Sequence, residues 1–395
     1  MAKGPSIYEH LGVDPHKAGV KEIFGKIVSN QYPDAWCNII NDPWSNDCVI
    51  TKHSDGSGSK SVQRLLDFLK CGCPEIFQDD ILDALGMNTG DVACAGFTDT
   101  YIVTDTLAIN RANTPKDEIM KQLALGMAKA IELYRQHGIK LIFMGGETAD
   151  LVDQTQNYIL DMDVYSRTHR SCLIKGNVVP GDVIFGFSSA GRAVWEEAEN
   201  SGIMSNGLTL GRKGLLHPLY CEQYPFLSDP QKPFFGRYDA ACPVPGTPMT
   251  ISQALLSPTR QWCFVIKQLF ETRLSCQDRS DLIHGISMNT GGGATKVKNL
   301  GRGITFNKKM PAPPPFFQFI QETTGESWEN MYTSFNMGIG LDVIVNRYDA
   351  PVMEDVIHEV SAKTGIACWR MGECTASADG KNHVVLTTRQ GVFRY

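Results

Sequence analysis

Apolar positions along the chain fall into short blocks with two different periods. Tyr101 to Val103, Leu141 to Met144 and the alternating stretch Tyr158 to Val164 read as strands. Ile119 to His137 repeats its apolar residues at helical spacing and stops at Gly138, the expected C-terminal signal. Val20 to Val28 carries a shorter helical pattern. Cys48-Val49-Ile50 predicts a strand and Ser61 to Leu69 an amphipathic helix, with the polar run His53-Ser54-Asp55-Gly56-Ser57-Gly58-Ser59-Lys60 between them.

A second set begins after the boundary signal Pro180-Gly181-Asp182. It predicts strands over Val183 to Phe187 and Ile339 to Val345, helices over Trp262 to Glu271 and Ser327 to Tyr332, and a turn at Thr290-Gly291-Gly292-Gly293. The Pro-, Tyr- and Phe-rich segment 221–250 and the run Pro311 to Pro315 read as surface excursions, because motif-like segments continue beyond each. Strands alternating with helices in two halves predict a two-domain α/β (α+β) protein, divided into residues 1–179 and 180–395.

Composition agrees with two domains, since 395 residues exceed the roughly 250–300 at which single cores stop growing. The net charge of −6 argues against a nucleic-acid surface. Twelve scattered cysteines without a C-x-x-C point to free thiols in a reducing compartment. Met1 to Gly12 lacks an apolar leader and no apolar run reaches the ~18 residues of a membrane span, so a cytoplasmic protein without membrane contact is expected.

The polar runs carry the candidate chemistry. In His53 to Lys60 the glycines let backbone N–H groups approach an anion near a helix start, with Asp55 available to a metal and Lys60 to phosphate. It is not a Walker A loop, whose spacing is absent. Asp83 and Asp91 stand eight apart in a helix-like segment, which suits carboxylates holding Mg²⁺ with nucleotide phosphates. Met144-Gly145-Gly146-Glu147-Thr148-Ala149-Asp150 follows a strand, where α/β sheets bind ligands. In Leu256-Ser257-Pro258-Thr259-Arg260, Ser257 or Thr259 can cap a helix and Arg260 can grip phosphate. Ser205-Asn206-Gly207 reads as a turn, and Ser334 to Gly340 offers another asparagine and small residues at a strand start.

The order of these motifs, from Tyr-x-x-x-Gly-Val-Asp at Tyr8 to Trp-Arg-Met-Gly-Glu at Glu373, resembles the aminoimidazole ribonucleotide synthetase (phosphoribosylformylglycinamidine cyclo-ligase) family along nearly the whole chain. The resemblance implies ATP-dependent closure of the imidazole ring of formylglycinamidine ribonucleotide in purine biosynthesis, with ATP and Mg²⁺ as cofactors. It implies a first domain that binds ATP and pairs its sheet with a second copy in a homodimer, and a second α/β domain. Asp55, Lys60 and Asp91 match positions implied to act in catalysis. Gly56, Gly58, Asp83, Gly145, Gly146 and Glu147 join them around the nucleotide, with Asp55, Asp91 and Glu147 at the metal. Ser57, Ser59, Ser205, Asn206, Thr259, Arg260, Gly291, Gly292 and Gly293 fall to the substrate.

Three positions depart from the family's pattern. Met204 replaces a histidine before Ser-Asn-Gly, so His53 or Arg192 is expected to supply any donor needed there. Gln31 to Cys37 replaces a glycine-rich loop, and Gly90 an asparagine. These departures leave two alternatives: a dimeric ATP-binding paralogue without the activity, and another ATP-using enzyme of the same superfamily.

Overall fold

The computed structural model describes residues 6–14 and 23–395. The helix expected over Val20 to Val28 starts outside them. Its described part closes as a turn, with Ile27 and Val28 N–H both donating to the Phe24 carbonyl.

The first sheet contains β1 (Ile39–Asn41), β2 (Cys48–Gly56), β3 (Thr100–Ile109), β4 (Lys140–Asp150) and β5 (Tyr158–His169), in the order β1-β2-β5-β3-β4. β3 and β4 run parallel, which requires a crossover, and the helix Lys116–Gln136 supplies it. The other pairs are antiparallel. On β5, Tyr158, Leu160, Met162 and Val164 point into the core, while Ile159 and Asp161 face outward. This alternation places the helices on one face of the sheet.

The second sheet contains β6 (Val183–Ser188), β7 (Ile283–Met288), β8 (Ile304–Lys309), β9 (Ile339–Val345), β10 (Cys368–Ala376), β11 (His383–Thr388) and β12 (Gly391–Arg394). Their order is β12-β11-β8-β10-β6-β9-β7. β6 and β9 are buried at every residue, which is why both read as continuous apolar runs. The architecture is α+β, as the pattern of periods predicts.

The helix Asp80–Ala93 joins the two halves. It packs on β2 and β5 from one side and against the helix Trp262–Glu271 from the other. A Cβ on Gly86 would lie 3.1 Å from the Thr259 carbonyl oxygen, and one on Gly90 only 2.3 Å from Met288 Sδ. Those two glycines admit the second domain's side chains to the helix backbone, and Met288 fills the space an asparagine at position 90 would need.

Several local readings change. β2 continues through His53 to Gly56, because these residues pair with Asp161 to Val164 of β5. Only Ser57 to Ser59 remain as a connection before the helix Lys60–Cys71. Gly145 to Thr148 likewise lie inside β4 rather than beyond its end. The segment 221–250 buries Leu227, Phe234, Ala240 and Val244, so it wraps the core instead of leaving it. Pro315 opens the helix Pro315–Thr324 at its first turn, where a missing N–H costs nothing. Among the described residues, no helix is long and apolar enough to cross a membrane.

Candidate active site

Asp91, near the end of the helix Asp80–Ala93, holds together the facing edges of the two domains. Its carboxylate accepts from Trp36 Nε1 at 2.8 Å and pairs with His53 Nε2 and Lys296 Nζ, each at 3.4 Å. Lys296 follows the Gly291 to Gly293 turn. It also donates to Thr290 Oγ1 and lies 4.9 Å from the Trp36 ring centroid, a cation–π contact. Trp36 belongs to the stretch that replaces the family's glycine-rich loop, so an indole and a lysine now close on Asp91 there.

A second layer orients His53. Asn88 Nδ2 donates to the carbonyls of Asp55 and Ala84, at 2.8 and 3.0 Å. Its Oδ1 is then the acceptor for His53 Nδ1 at 2.9 Å, which fixes a proton on that nitrogen. Burial opposes charge on His53, but Asp91, then Asn88 and Asp55, outweigh it and raise the pKa. Burial would push the Asp91 carboxyl up; Lys296, His53 and Trp36 together hold it well below the usual carboxylate range. The cations facing Asp91 therefore favour its ionised form, and Asp91 in turn favours the charged form of His53.

Asp55 lies on the same side of β2 as His53, and its Oδ1 accepts the Gly56 N–H at 2.8 Å. Lys60 turns the other way into a fully buried network. Its Nζ donates to Asp83 Oδ1 at 2.5 Å and to the Ser257 carbonyl at 2.6 Å. Arg64 bridges Asp83 and Asp80, and the Thr259 N–H donates to Asp83 at 2.7 Å. Burial lowers the Lys60 pKa, with Asp83 pulling against it. Two cations and two carboxylates balance there, and the network pins the second domain's Ser257 to Thr259 segment to the first.

Glu147 sits elsewhere. It pairs with Thr106, which lies opposite Asp161, which lies opposite Gly56. Three strand spacings, about 14 Å in all, therefore separate Glu147 from the end of β2. Gly145 has φ +83 beside the bulge of β3 and β4, and a Cβ on Gly146 would fall 2.0 Å from the Asp105 carbonyl oxygen. Asp55, Asp91 and Glu147 thus do not converge within one protomer. Among the described residues no cluster of three or more His, Cys, Asp or Glu side chains is arranged to hold a metal. The residues present do not fit a cage of protein ligands for Mg²⁺.

From the second domain, Ser205 Oγ and Thr259 Oγ1 share a hydrogen bond of 2.8 Å. Asn206 Oδ1 lies 3.6 Å from where a Cβ of Gly291 would stand, and its Nδ2 is buried without a partner. An orphan donor beside a glycine turn suits a ligand oxygen. Gly292 and Gly293 have φ of +95 and +57, and a Cβ on Gly293 would meet the Phe335 carbonyl oxygen at 2.4 Å. Arg260 is consumed by the protein: Glu196 takes it bidentately at 2.7 and 3.0 Å, and the Ser188 and Gly191 carbonyls accept from it. Neither Ser257 nor Thr259 caps the helix Trp262–Glu271, whose N-cap is Gln261 without a side-chain bond. Met204, buried at φ +57, presents no donor.

The structure thus brings His53, Asp55, Asp91 and the Thr290 to Gly293 turn close together, with Ser57 to Ser59 and Ser205 to Asn206 beside each other where the two halves meet. Lys60, Asp83 and Arg260 lie inside the protein, and Glu147 on an edge strand. Trp36, Asn88 and Lys296 complete the site without having been assigned a role from sequence. Only Lys296 carried a signal, one helical turn beyond the triple glycine.

The two loop glycines separate stability from binding. A Cβ on Gly56 would come within 2.6 Å of the Leu160 carbonyl oxygen, whereas one on Gly58 meets only the Ser205 carbonyl at 3.3 Å, at φ +64. Gly56→Ala should lower the melting temperature sharply. Gly58→Ala should cost on the order of 1 kcal/mol of stability while weakening ligand affinity about tenfold. Calorimetric titration beside a thermal melt reads both; equal melting losses in the two variants would contradict the assignment.

No protein-family model matches the chain. Solved structures of similar fold include T. maritima PurL complexed with FGAR, at TM-score 0.56 and 12% identity over 99% of this chain and 53% of that one. Another is the hydrogenase maturation protein HypE in complex with ATP, at TM-score 0.52 and 12% identity over 97% and 96%. The fold is that of the aminoimidazole ribonucleotide synthetase-like proteins. Among curated sequences, the chain is 29% identical over 329 residues to the phosphoribosylformylglycinamidine cyclo-ligase of Methanococcus vannielii, covering 83% of this chain and 78% of that one. It is 28% identical over 331 residues to the enzyme of that name from Methanothermobacter thermautotrophicus, covering 83% and 80%. It is 30% identical over 269 residues to that of Pyrococcus furiosus, covering 68% and 65%. By sequence the chain is similar to these phosphoribosylformylglycinamidine cyclo-ligases, which are ligases.

Proposed function

We propose that the protein closes the imidazole ring of formylglycinamidine ribonucleotide, giving aminoimidazole ribonucleotide, ADP and phosphate in purine biosynthesis. The observation that supports this most is the likeness to cyclo-ligases over about four-fifths of both chains. The chemistry transfers the γ-phosphoryl group of ATP to the formyl amide oxygen. The amidine nitrogen then attacks that carbon, and phosphate leaves with the oxygen. Such a reaction needs positioning and charge neutralisation rather than a protein nucleophile.

In this reading Asp55 and Asp91 face Mg²⁺ carried in on the nucleotide, which requires only one or two carboxylates. Gly56, Gly58, Gly145, Gly146 and Glu147 belong to the nucleotide side. Ser57, Ser59, Ser205, Asn206 and the glycines 291–293 belong to the substrate side. Lys60, Asp83, Thr259 and Arg260 act by holding these segments in place. His53, rather than a residue at position 204, supplies the charged donor. Met204→Leu should then leave turnover within about twofold at every pH, since the swap conserves volume and removes no polar contact. A large loss in a steady-state pH–rate profile would give position 204 a role of its own.

A homodimer is proposed through the first sheet, whose outer face carries Ile159 at 46% exposure and no helix. Sedimentation at micromolar concentration tests it. A second reading, an ATP-binding paralogue without ring closure, is favoured by Lys296 and Trp36 occupying Asp91. Purified protein given ATP, Mg²⁺ and formylglycinamidine ribonucleotide separates the two. Stoichiometric ADP and aminoimidazole ribonucleotide support the first, and ATP binding without turnover supports the second.

A further inference from the structure

Most thiols in this protein are out of reach of solvent. Of the eleven cysteines whose side chains are described, only Cys71 and Cys73 are exposed. They stand two positions apart, in Cys71-Gly72-Cys73, where the helix Lys60–Cys71 ends. They are already in contact: the Cys73 N–H donates to Cys71 Sγ at 3.1 Å, and Cys73 Sγ donates to the Cys71 carbonyl at 3.6 Å. Elsewhere burial pushes thiols up, Cys37 to about 12 and Cys263 to about 11, which keeps them inert. The Cys73 thiol is raised for a different reason, the hydrogen bond and charge of Cys71, so Cys73 is the one that keeps its proton.

The backbone between them has the shape a disulfide needs. Gly72 is the C-cap of the helix, at φ 69 and ψ 12, and its N–H donates to the Phe68 carbonyl. These angles are nearly helical with the hand reversed. Alternate Cα atoms then stand about 5.4 Å apart, inside the span of roughly 4.4–6.8 Å that disulfides bridge. A Cβ on Gly72 would meet nothing within 4 Å, so the outside of the turn is open. Cys71 also lines a cavity of about 660 Å³ with Asp67, Lys70, Ala240 and Ser252, which gives a small molecule room to approach. Lys70 is committed to Asp239 and Tyr220. With that cation taken, the reduced thiolate gains little, which favours the oxidised form. A metal suits the pair less well, because among the described residues no group of three His, Cys, Asp or Glu side chains is placed to hold one.

We propose that Cys71 and Cys73 form a reversible thiol–disulfide pair that exchanges with low-molecular-weight disulfides at the protein surface. The pair lies about 16 Å along its helix from Lys60, so it is separate from the candidate active site and does not rest on ring closure. The Cys71 thiolate attacks one sulfur of a small disulfide, forming a mixed disulfide and expelling one small thiolate. Cys73, on losing its proton, attacks the Cys71 sulfur, expels the second small thiolate and closes the Cys71–Cys73 bond. The two cysteines lose two electrons and two protons, and the small disulfide is reduced to two thiols. Proximity makes this second step faster than attack by another molecule. An exposed bond in so small a ring belongs to the labile kind of disulfide, so a small thiol in excess reverses it.

The test is incubation of the reduced full chain in mixtures of reduced and oxidised glutathione, followed by a denaturing alkylation and peptide mass spectrometry. The wild-type peptide holding both cysteines should lose two hydrogens, while the buried cysteines are recovered alkylated. Excess reduced glutathione should restore the dithiol. Cys73→Ser should stop at a glutathione adduct on Cys71, and Cys71→Ser at an adduct on Cys73. The oxidised protein should melt where the reduced one does, because the Gly72 cap and the Lys70–Asp239 pair are kept. The proposal is overturned if wild type carries two adducts, or none, under conditions that load both single variants. It falls equally if neither variant is loaded, since the thiols are then out of reach. It falls too if the ring closes only in urea or only with a lowered melting temperature, since the folded backbone is then the wrong shape.

Discussion

Asp91→Asn should lower turnover by about a hundredfold or more, the scale on which a lost electrostatic partner at a reacting centre acts. The amide keeps the shape and can still accept from Trp36, so the melting temperature should fall far less than activity. The pH dependence of stability should change too. His53 has its pKa raised chiefly by Asp91, working against burial, so its contribution is fully present below the unfolded pKa. It is lost as pH rises through the folded value. Asp91 has its pKa lowered, so its contribution is present above the unfolded carboxylate pKa and is lost as pH falls through the folded value. Both dependences should flatten in Asp91→Asn. Steady-state kinetics and melts at several pH values check this, and wild-type turnover in the variant would remove Asp91 from the reaction.

Asp83→Ala should destabilise the protein by about 3–5 kcal/mol, because it strands Lys60 and Arg64 in the interior with Asp80 as their remaining close carboxylate. The Thr259 N–H loses its acceptor in the same step. Lys60→Met should cost less, since Asp83 keeps Arg64 and the Thr259 N–H. This reverses what the sequence suggests for Lys60, whose place in a glycine- and serine-rich run reads as a phosphate contact. Urea unfolding of the three proteins measures the difference. A variant Asp83→Ala as stable as wild type, with ATP-analogue affinity lost, would return this pair to the ligand.

The period of the chain was legible wherever burial is one-sided or complete. β9 and the helix Trp262–Glu271 fall where their patterns put them, because local sequence and tertiary context agree. The end of β2 was not legible. His53 to Gly56 have turn composition, and only their pairing with β5, more than a hundred residues away, makes them a strand. The cleft divides in the same way. Asp55 and Asp91 stand out as carboxylates in unusual surroundings, but nothing near Asp91 in the chain announces Trp36 or Lys296, which arrive from other elements. Whether a charged residue meets ligand or protein is also a long-range matter. Arg260 and Lys60 look like phosphate binders until Glu196 and Asp83 are seen opposite them.

Gly90 and Met288 divide a single volume between them. An asparagine at 90, as the family's pattern has it, has room only if position 288 shrinks, and a larger residue at 288 has room only while 90 stays glycine. The two positions lie about two hundred residues apart in the chain, on the helix Asp80–Ala93 and on β7, so a side chain gained at one must be matched by volume lost at the other. The same contact makes each domain a mould for the other.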